Sequence, residues 1–350
     1  MLTEKKSRKK VSLIVLVILF IVGLVGGYFA YILYQRLMGP NVTSEQEYLY
    51  IPTGSNFEDL MQNITENRIV KDTAGFRWVA EQKEYPPRIK AGKYRLEEGM
   101  NNRVLINMLG AGLQEPVNVQ FQNIRLKENF ATHLASQLEP DSAAFSKILN
   151  DDSLAVEHGF TTENIFTMFI PNTYEFYWNT TVDEFFERMV TEYDTFWNDE
   201  RKAKADSIGL SQIEVSILAS IVKGEALHVD EMPEIAGLYI NRLNRGMLLQ
   251  ADPTVIFATQ DFSIRRVLNR HLRTPSPYNT YIHKGLPPGP IMMPSIASID
   301  AVLNFNKHSY IYMCAKDDFS GYHNFATNMR DHLVNARKFQ RALDERNIKQ

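Results

Sequence analysis

One carboxylate, Glu225, stands where a proton-donating acid would have to stand. It closes the run Ile217-Leu218-Ala219-Ser220-Ile221-Val222-Lys223-Gly224-Glu225. Leu218, Ile221 and Glu225 fall at i, i+3 and i+7, and Ile217, Ile221 and Glu225 at i, i+4 and i+8. Helical spacing therefore places the carboxylate on the apolar stripe. Water is scarce on such a face, so the charged form is disfavoured and the proton is held toward neutral pH. A carboxylic acid still protonated there is what general-acid cleavage needs. The plainer reading of the same spacing is a glutamate at a frayed helix end, paired with Lys223 or facing solvent.

The following segments have to position that acid. The pattern Ile235, Ala236, Tyr239, Ile240, Leu243 predicts a helix from Pro233 to Asn244, with Pro233 in its first turn and Gly246 at its stop. Asp252-Pro253-Thr254 predicts an extended or turn backbone at Asp252 and brings two short polar side chains to one point. Tyr278-Asn279-Thr280-Tyr281 and the stiff Gly285-Leu286-Pro287-Pro288-Gly289-Pro290-Ile291 lose little entropy on ordering. Stiff loops carrying Tyr, Asn and Thr suit carbohydrate, which offers planar faces and neutral hydrogen-bonding groups. A purely structural loop is the alternative.

The N-terminus gives the address. Lys5, Lys6, Arg8, Lys9 and Lys10 precede an uncharged stretch from Val11 to Gln35, rich in Val, Ile, Leu, Phe and Gly. About 20 apolar residues span a bilayer as a helix, and secretory signals are shorter and end in small residues. Tyr28, Tyr31 and Tyr34 lie where aromatic rings favour the membrane interface. The expected topology is a single pass through the cytoplasmic (inner) membrane, with a cytoplasmic tail at 1–10, a span at 11–36 and the rest outside. The net charge is −3, and removing the first ten residues leaves 33 basic against 40 acidic side chains. A nucleic-acid partner would call for a basic field and is not expected. The single cysteine, Cys314, excludes an internal disulfide.

After a polar tether at 37–47, residues 48–115 read as strand, helix, helix, strand, helix. Tyr48-Leu49-Tyr50-Ile51 is the first strand, and Ser55 with Glu58 forms a capping box for a helix bearing Phe57, Leu60, Met61 and Ile64. Asp72-Thr73 caps a second helix, Lys93 to Leu96 is a strand, and Val104 to Leu109 is a helix stopped by Gly110. This outline resembles a small LysM-like arm, a module that binds N-acetylglucosamine-containing glycans. From 116 to 350 the chain reads as one mainly helical domain with short strands, beginning with the alternating Val117 to Phe121. The fold class expected is therefore α+β. The aromatic run Phe166 to Tyr177, around Pro171-Asn172, is either a packed loop or a sugar-stacking wall.

Taken together, the run ending in Glu225, Ile240-Asn241-Arg242-Leu243, Leu249-Gln250-Ala251-Asp252-Pro253-Thr254-Val255, Tyr278-Asn279-Thr280-Tyr281 and the Pro-rich stretch closely resemble the MltG (YceG-like) endolytic murein transglycosylases, over Val11 to about Leu343. The resemblance implies cleavage of the β-1,4 bond between N-acetylmuramic acid and N-acetylglucosamine inside nascent peptidoglycan strands, without water, leaving 1,6-anhydro-muramoyl ends and terminating strand elongation. It puts the catalytic glutamate on Glu225, which would protonate the glycosidic oxygen and then take the proton of the sugar's own 6-hydroxyl. Asn241, Gln250, Asp252, Thr254, Tyr278, Asn279 and Tyr281 are the expected substrate-binding residues. No metal or other cofactor is implied. Glycan strands, the membrane and a peptidoglycan synthase are the expected partners. Two departures stand out: Ile165-Phe166-Thr167 replaces the family's Leu-Glu-Gly, and Asn172 replaces an Asp, so that loop contributes no second acid. Gly224, just before the acid, is expected to loosen the helix end.

Three other readings compete. Ordinary hydrolysis would need a second carboxylate, for which Asp252 is available. Glu225-Ala226-Leu227-His228 is a Glu-x-x-His pair, but a di-iron bundle needs two of them and two further glutamates. A non-catalytic, membrane-tethered glycan-binding scaffold explains the anchor and the arm, but not a carboxylate on an apolar face.

Overall fold

The computed structural model describes residues 2–346, with side chains from residue 13 onward. The chain forms two compact units. One is Met1–Val117 with Phe176–Asn179, and the other is Asn118–Glu175 with Thr180–Gln350.

The first unit begins with α1, Leu2–Met38, in which Leu13–Met38 is long and apolar enough to cross a membrane. The side chains of Lys5, Lys6, Arg8, Lys9 and Lys10 lie outside the described residues. Strand β1 (Tyr48–Ile51) pairs antiparallel with β2 (Gly92–Arg95), Tyr48 opposite Arg95 and Ile51 opposite Gly92. Between them run α2 (Phe57–Glu66) and α3 (Thr73–Gln82), and α4 (Asn102–Ala111) follows. Leu49, Ile51, Leu60, Ile64, Phe76, Val79, Tyr94 and Leu105 fill the core of this unit. Two local expectations are corrected. Asn56, not Ser55, caps α2: its side chain accepts the Glu58 and Asp59 N–H groups while Asp59 accepts its backbone N–H. The amide oxygen of Asn56 is as good a capping acceptor as a serine hydroxyl, so one residue of register was open. Helix α4 runs through Gly110 and stops at Gly112, whose φ of 74° is the left-handed conformation that glycine adopts freely.

From Asn118 the second unit holds all but the first residue of β3 (Val117–Phe121), which pairs with β4 (Asn172–Phe176). Around them stand α5 (Lys127–Ala135), α6 (Ser142–Leu149), α7 (Asp152–Glu157), α8 (Val182–Phe196) and α9 (Asp199–Ser207). The aromatic run from Phe166 to Phe176 is packing, while Tyr177 at its end is exposed. Phe121, Phe130, Phe166, Phe169 and Tyr174 are all buried, with Phe121–Phe130 and Phe130–Phe169 centroids 4.9 Å apart. Each such ring, once buried, stabilises the fold by about 1.5–3 kcal/mol.

Helix α10 (Gln212–Glu225) is the central support. Its Ser211–Glu214 capping box fixes the start, and every residue from Val215 to Val222 is buried. A helix apolar all round belongs in the middle of a core. It packs against α11 (Met232–Asn244), α12 (Asp252–Thr259) and α13 (Ile296–Leu303). Ser220 Oγ donates to Ile217 O and accepts the Ile291 N–H, pinning the Pro-rich loop to α10. The hairpin β5 (Tyr312–Ala315) and β6 (His323–Ala326), backed by α14 (Met329–Glu345), completes the unit. Asp252 does not sit in an extended turn. It opens α12, because Pro253 falls in the first turn, where its missing N–H costs nothing.

Gly237 marks the tightest approach on α11. A Cβ there would overlap the Asn306 carbonyl oxygen and lie 2.7 Å from His308 Nε2. Gly237→Ala is expected to destabilise the protein by about 1–3 kcal/mol, since a packed interior cannot absorb the added carbon. Urea unfolding beside the wild type measures this, and an unchanged midpoint would refute it.

Candidate active site

Glu225 is the last residue of α10, and the chain turns extended at Ala226. Gly224 does not loosen the helix end. A Cβ at 224 would lie 2.9 Å from Pro253 Cβ, so glycine lets the first turn of α12 come close. Oε1 of Glu225 accepts the Tyr239 hydroxyl at 2.8 Å, and the Asp252 backbone N–H also faces the carboxylate. Tyr239 is 1% exposed, on the face of α11 that meets α10. One turn later on the same helix Arg242, 7% exposed, donates Nε to Ile311 O at 2.6 Å and Nη1 to Leu249 O at 2.7 Å. It is a buried cation solvated by carbonyls, with no carboxylate in ion-pair contact among the described residues. Gln250 Oε1 accepts from the same guanidinium at 3.3 Å, and Gln250 holds a left-handed φ of 54°. Strain of that kind persists only where the surroundings fix it.

These groups line a cavity of about 300 Å³. Glu225, Tyr239, Arg242, Gln250, Asp252 and Tyr281 form one side, and Met313, Cys314, Ala315 and His323 of the β5–β6 hairpin the other. The size is at the small end of ligand sites.

Burial pushes the Glu225 carboxyl up to about 7. The negative charge of Asp252 adds to this, while the Tyr239 hydroxyl, the Asp252 N–H and Arg242 hold it down. The C-terminal end of α10 works in the same direction as burial, because its partial charge is negative. Burial also raises Asp252, against the Tyr281 hydroxyl that donates to its Oδ1 at 2.7 Å. Tyr239 and Tyr281 are both raised well above the ordinary phenol value, first by burial, so each stays a donor.

The pH dependence follows. If the protonated Glu225 is the active form, kcat/KM should fall tenfold per unit above about pH 7. In Tyr239→Phe the loss of a donor that favours the carboxylate should move that alkaline limb upward by about one pH unit. A limb that stayed in place or moved down would contradict the hydrogen-bond assignment.

The structure brings together Glu225, Gln250, Asp252 and Tyr281 and separates the other four expected binding residues. Asn241 spends its Nδ2 on His308 O and Tyr310 O. Thr254 is sealed, bonding Ala251 O and Thr280 Oγ1. Asn279 is sealed too, its Nδ2 on Leu272 O and Thr274 O and its Oδ1 on the Tyr281 N–H. Thr254 and Asn279, buried with every polar group engaged, have nothing to offer a ligand, whereas Asn241 is partly buried and only its Nδ2 is committed. Tyr278 lines a different cavity, with Arg125, Lys127 and Phe257. His228, the partner in the Glu-x-x-His pair, stacks on Tyr322 at 4.0 Å and bonds Ser320 O through Nε2. No group of three or more His, Cys, Asp or Glu placed to hold a metal ion occurs among the described residues.

A model described as the YceG-like family matches residues 49–338. The chain belongs to the YceG-like family. This YceG-like chain is 26% identical over 342 residues to a Streptococcus pneumoniae protein named endolytic murein transglycosylase, covering 88% of the chain and 61% of that relative. It is 27% identical over 316 residues to a Bacillus subtilis protein of the same name, covering 85% of each. The chain thus spans about three-fifths of the length of its streptococcal relative. Its fold is similar to the crystal structure of a YceG-like protein from Listeria monocytogenes, at a TM-score of 0.54 and 24% identity, covering 82% of this chain and 98% of that one.

Four residues of this YceG-like site escape sequence reasoning: Tyr239, Arg242, Glu231 and His323. Tyr239 and Arg242 carry a weak signal, three residues apart on one helix face, but a tyrosine at core spacing looks like packing. His323 and Glu231 lie 92 positions apart, and no local pattern joins them.

Proposed function

We propose that this protein is a membrane-anchored endolytic lytic transglycosylase that cuts β-1,4 bonds between N-acetylmuramic acid and N-acetylglucosamine in nascent peptidoglycan strands, leaving 1,6-anhydro-muramoyl ends and ending strand elongation. The observation that carries this reading is Glu225, a carboxyl that keeps its proton to about pH 7 at the wall of a polar cavity. Membership of the YceG-like family and the names of the relatives support it. Glu225 donates its proton to the glycosidic oxygen. The carboxylate left behind is held by Tyr239, the Asp252 N–H and the Arg242 charge, and it stabilises the positive charge growing on the sugar ring. The muramoyl 6-hydroxyl then closes on the anomeric carbon. In the single-carboxyl scheme Glu225 also takes the hydroxyl proton.

In this reading α1 is the anchor, with its basic end in the cytoplasm and the catalytic unit outside. The β–α–α–β arm grips glycan, and a synthase in the same membrane supplies the strand. Mass spectrometry of glycan strands digested by the detergent-solubilised protein, wild type beside Glu225→Gln, tests the chemistry. New ends one water lighter than reducing muramic acid, absent with the variant, are expected. Reducing ends would make this a hydrolase, with Asp252 beside Glu225 as its second carboxylate. No cleavage by either protein would leave a tethered glycan-binding scaffold.

A further inference from the structure

We propose that His323, oriented by Glu231, is a second catalytic residue of this site: its Nε2 accepts the proton of the attacking 6-hydroxyl, so that acid and base are different side chains. The inference rests on the transglycosylase reading above and revises its second step.

Glu231, 7% exposed, accepts the His323 backbone N–H at 2.7 Å on Oε1 and the His323 ring Nδ1 at 2.8 Å on Oε2. A carboxylate only accepts, so Nδ1 carries the proton and a neutral ring keeps its lone pair on Nε2. The neighbouring residues repeat the clamp, Tyr322 donating its hydroxyl to Asp230. Tyr322 and His323, at the entry to β6, are thus tied to two successive residues ahead of α11. That fixes the ring far more firmly than a surface histidine needs.

The other ring nitrogen is left open. Nε2 of His323 makes no hydrogen bond to any described residue, and the side chain lines the same 300 Å³ cavity as Glu225. His308 nearby shows what a structural histidine looks like here. Its Nε2 bonds Glu234 O and its Nδ1 accepts the Tyr310 N–H, so both nitrogens are used. A ring locked by a buried carboxylate, with one acceptor left open and its side chain lining a cavity that also holds an acid, is the arrangement a general base requires. With a separate base Glu225 acts only once, and its carboxylate stays held by the Tyr239 hydroxyl and the Asp252 N–H.

The step balances. The C1–O4 bond breaks with its electron pair on the leaving oxygen, which takes the Glu225 proton. A lone pair on O6 forms the O6–C1 bond, and the O6 proton passes to His323 Nε2. The imidazolium lies against the Glu231 carboxylate until solvent returns the proton to Glu225 after release. No water is added and nothing is oxidised or reduced.

The test uses the full chain in detergent on isolated glycan strands, reading the initial rate and the ratio of 1,6-anhydro to reducing ends. His323→Ala should slow cleavage about 10²-fold or more. It should also raise the share of reducing ends at least tenfold, because water captures the cation when the hydroxyl is no longer held. His323→Gln offers an acceptor oxygen that cannot take a proton. It should bring the anhydro share back toward wild type while the rate stays low, and it carries the test if the alanine variant fails to fold. Glu231→Leu should follow His323→Ala. A wild-type rate in His323→Gln, or a slow His323→Ala with an unchanged product ratio, overturns the proposal, since a merely structural histidine moves rate without moving the ratio. If the wild type yields no anhydro ends, the transglycosylase reading itself has failed, and this inference with it.

Discussion

Glu225→Gln is expected to lower turnover by about 10³- to 10⁴-fold while leaving the fold intact. Glutamine matches the volume of glutamate, and its carbonyl oxygen accepts the Tyr239 hydroxyl as Oε1 does now. What it cannot do is give up a proton to a leaving oxygen. The same variant carries a stability signature. In the folded protein the Glu225 carboxyl titrates near 7, against 4.5 unfolded. As pH rises between those values the unfolded chain loses its proton first, so the wild type becomes less stable through that window. Each pH unit between the two values is worth about 1.4 kcal/mol, and with discounting for relaxation of the site the loss reaches on the order of 2–3 kcal/mol by pH 8. Below about pH 4.5 both states are protonated and the penalty vanishes. Urea melts should therefore show the inactive variant more stable than wild type at pH 8 and level with it at pH 4. Equal stability at both would mean that Glu225 is not in a disfavouring site.

Arg242→Met is expected to be the most damaging single change near the cavity, costing on the order of 3 kcal/mol. The guanidinium donates to Ile311 O and Leu249 O, reaches Leu248 O, and braces Gln250 in its left-handed conformation. Methionine fills much of the space and takes those donors away from buried carbonyls. It also removes the cation that holds the Glu225 carboxyl down, so the alkaline limb of activity in the surviving protein should shift upward. Arg242→Lys should not rescue stability, because a single ammonium cannot copy a planar fork reaching acceptors in several directions. Thermal denaturation of both variants, with a rate profile for whichever folds, decides it. A lysine variant as stable as wild type would show that charge alone matters.

What the sequence made legible was local and periodic. The apolar stripe under Glu225, the helix from Pro233 and the alternating Val117 to Phe121 all appear as read, because a period of 3.6 or 2 is written in neighbouring residues. Residues that face a site across the chain were not legible. Thr254 and Asn279 look like ligand contacts in a line of text, yet they are knots that hold loops in shape. A polar side chain carries no mark of which way it turns. The reverse error hid Arg242 and His323. The first lies beside the residue singled out, and the second waits for a partner 92 positions earlier. Asp252 does line the cavity, but on a different backbone from the one expected, because Pro253 suits a helix's first turn as well as a bend.

The short strip Phe176–Asn179 returns to the first unit after a long excursion through the second, and its Trp178 packs on Tyr50 at 5.1 Å between centroids. The chain therefore crosses between the units three times. The N-terminal portion is not a detachable cassette. A gene fusion or protease cut at Val117 would carry away the arm but leave behind a ring that belongs to it. Such a rearrangement would damage both products, so the arm and the catalytic unit should be inherited together and not shuffled apart.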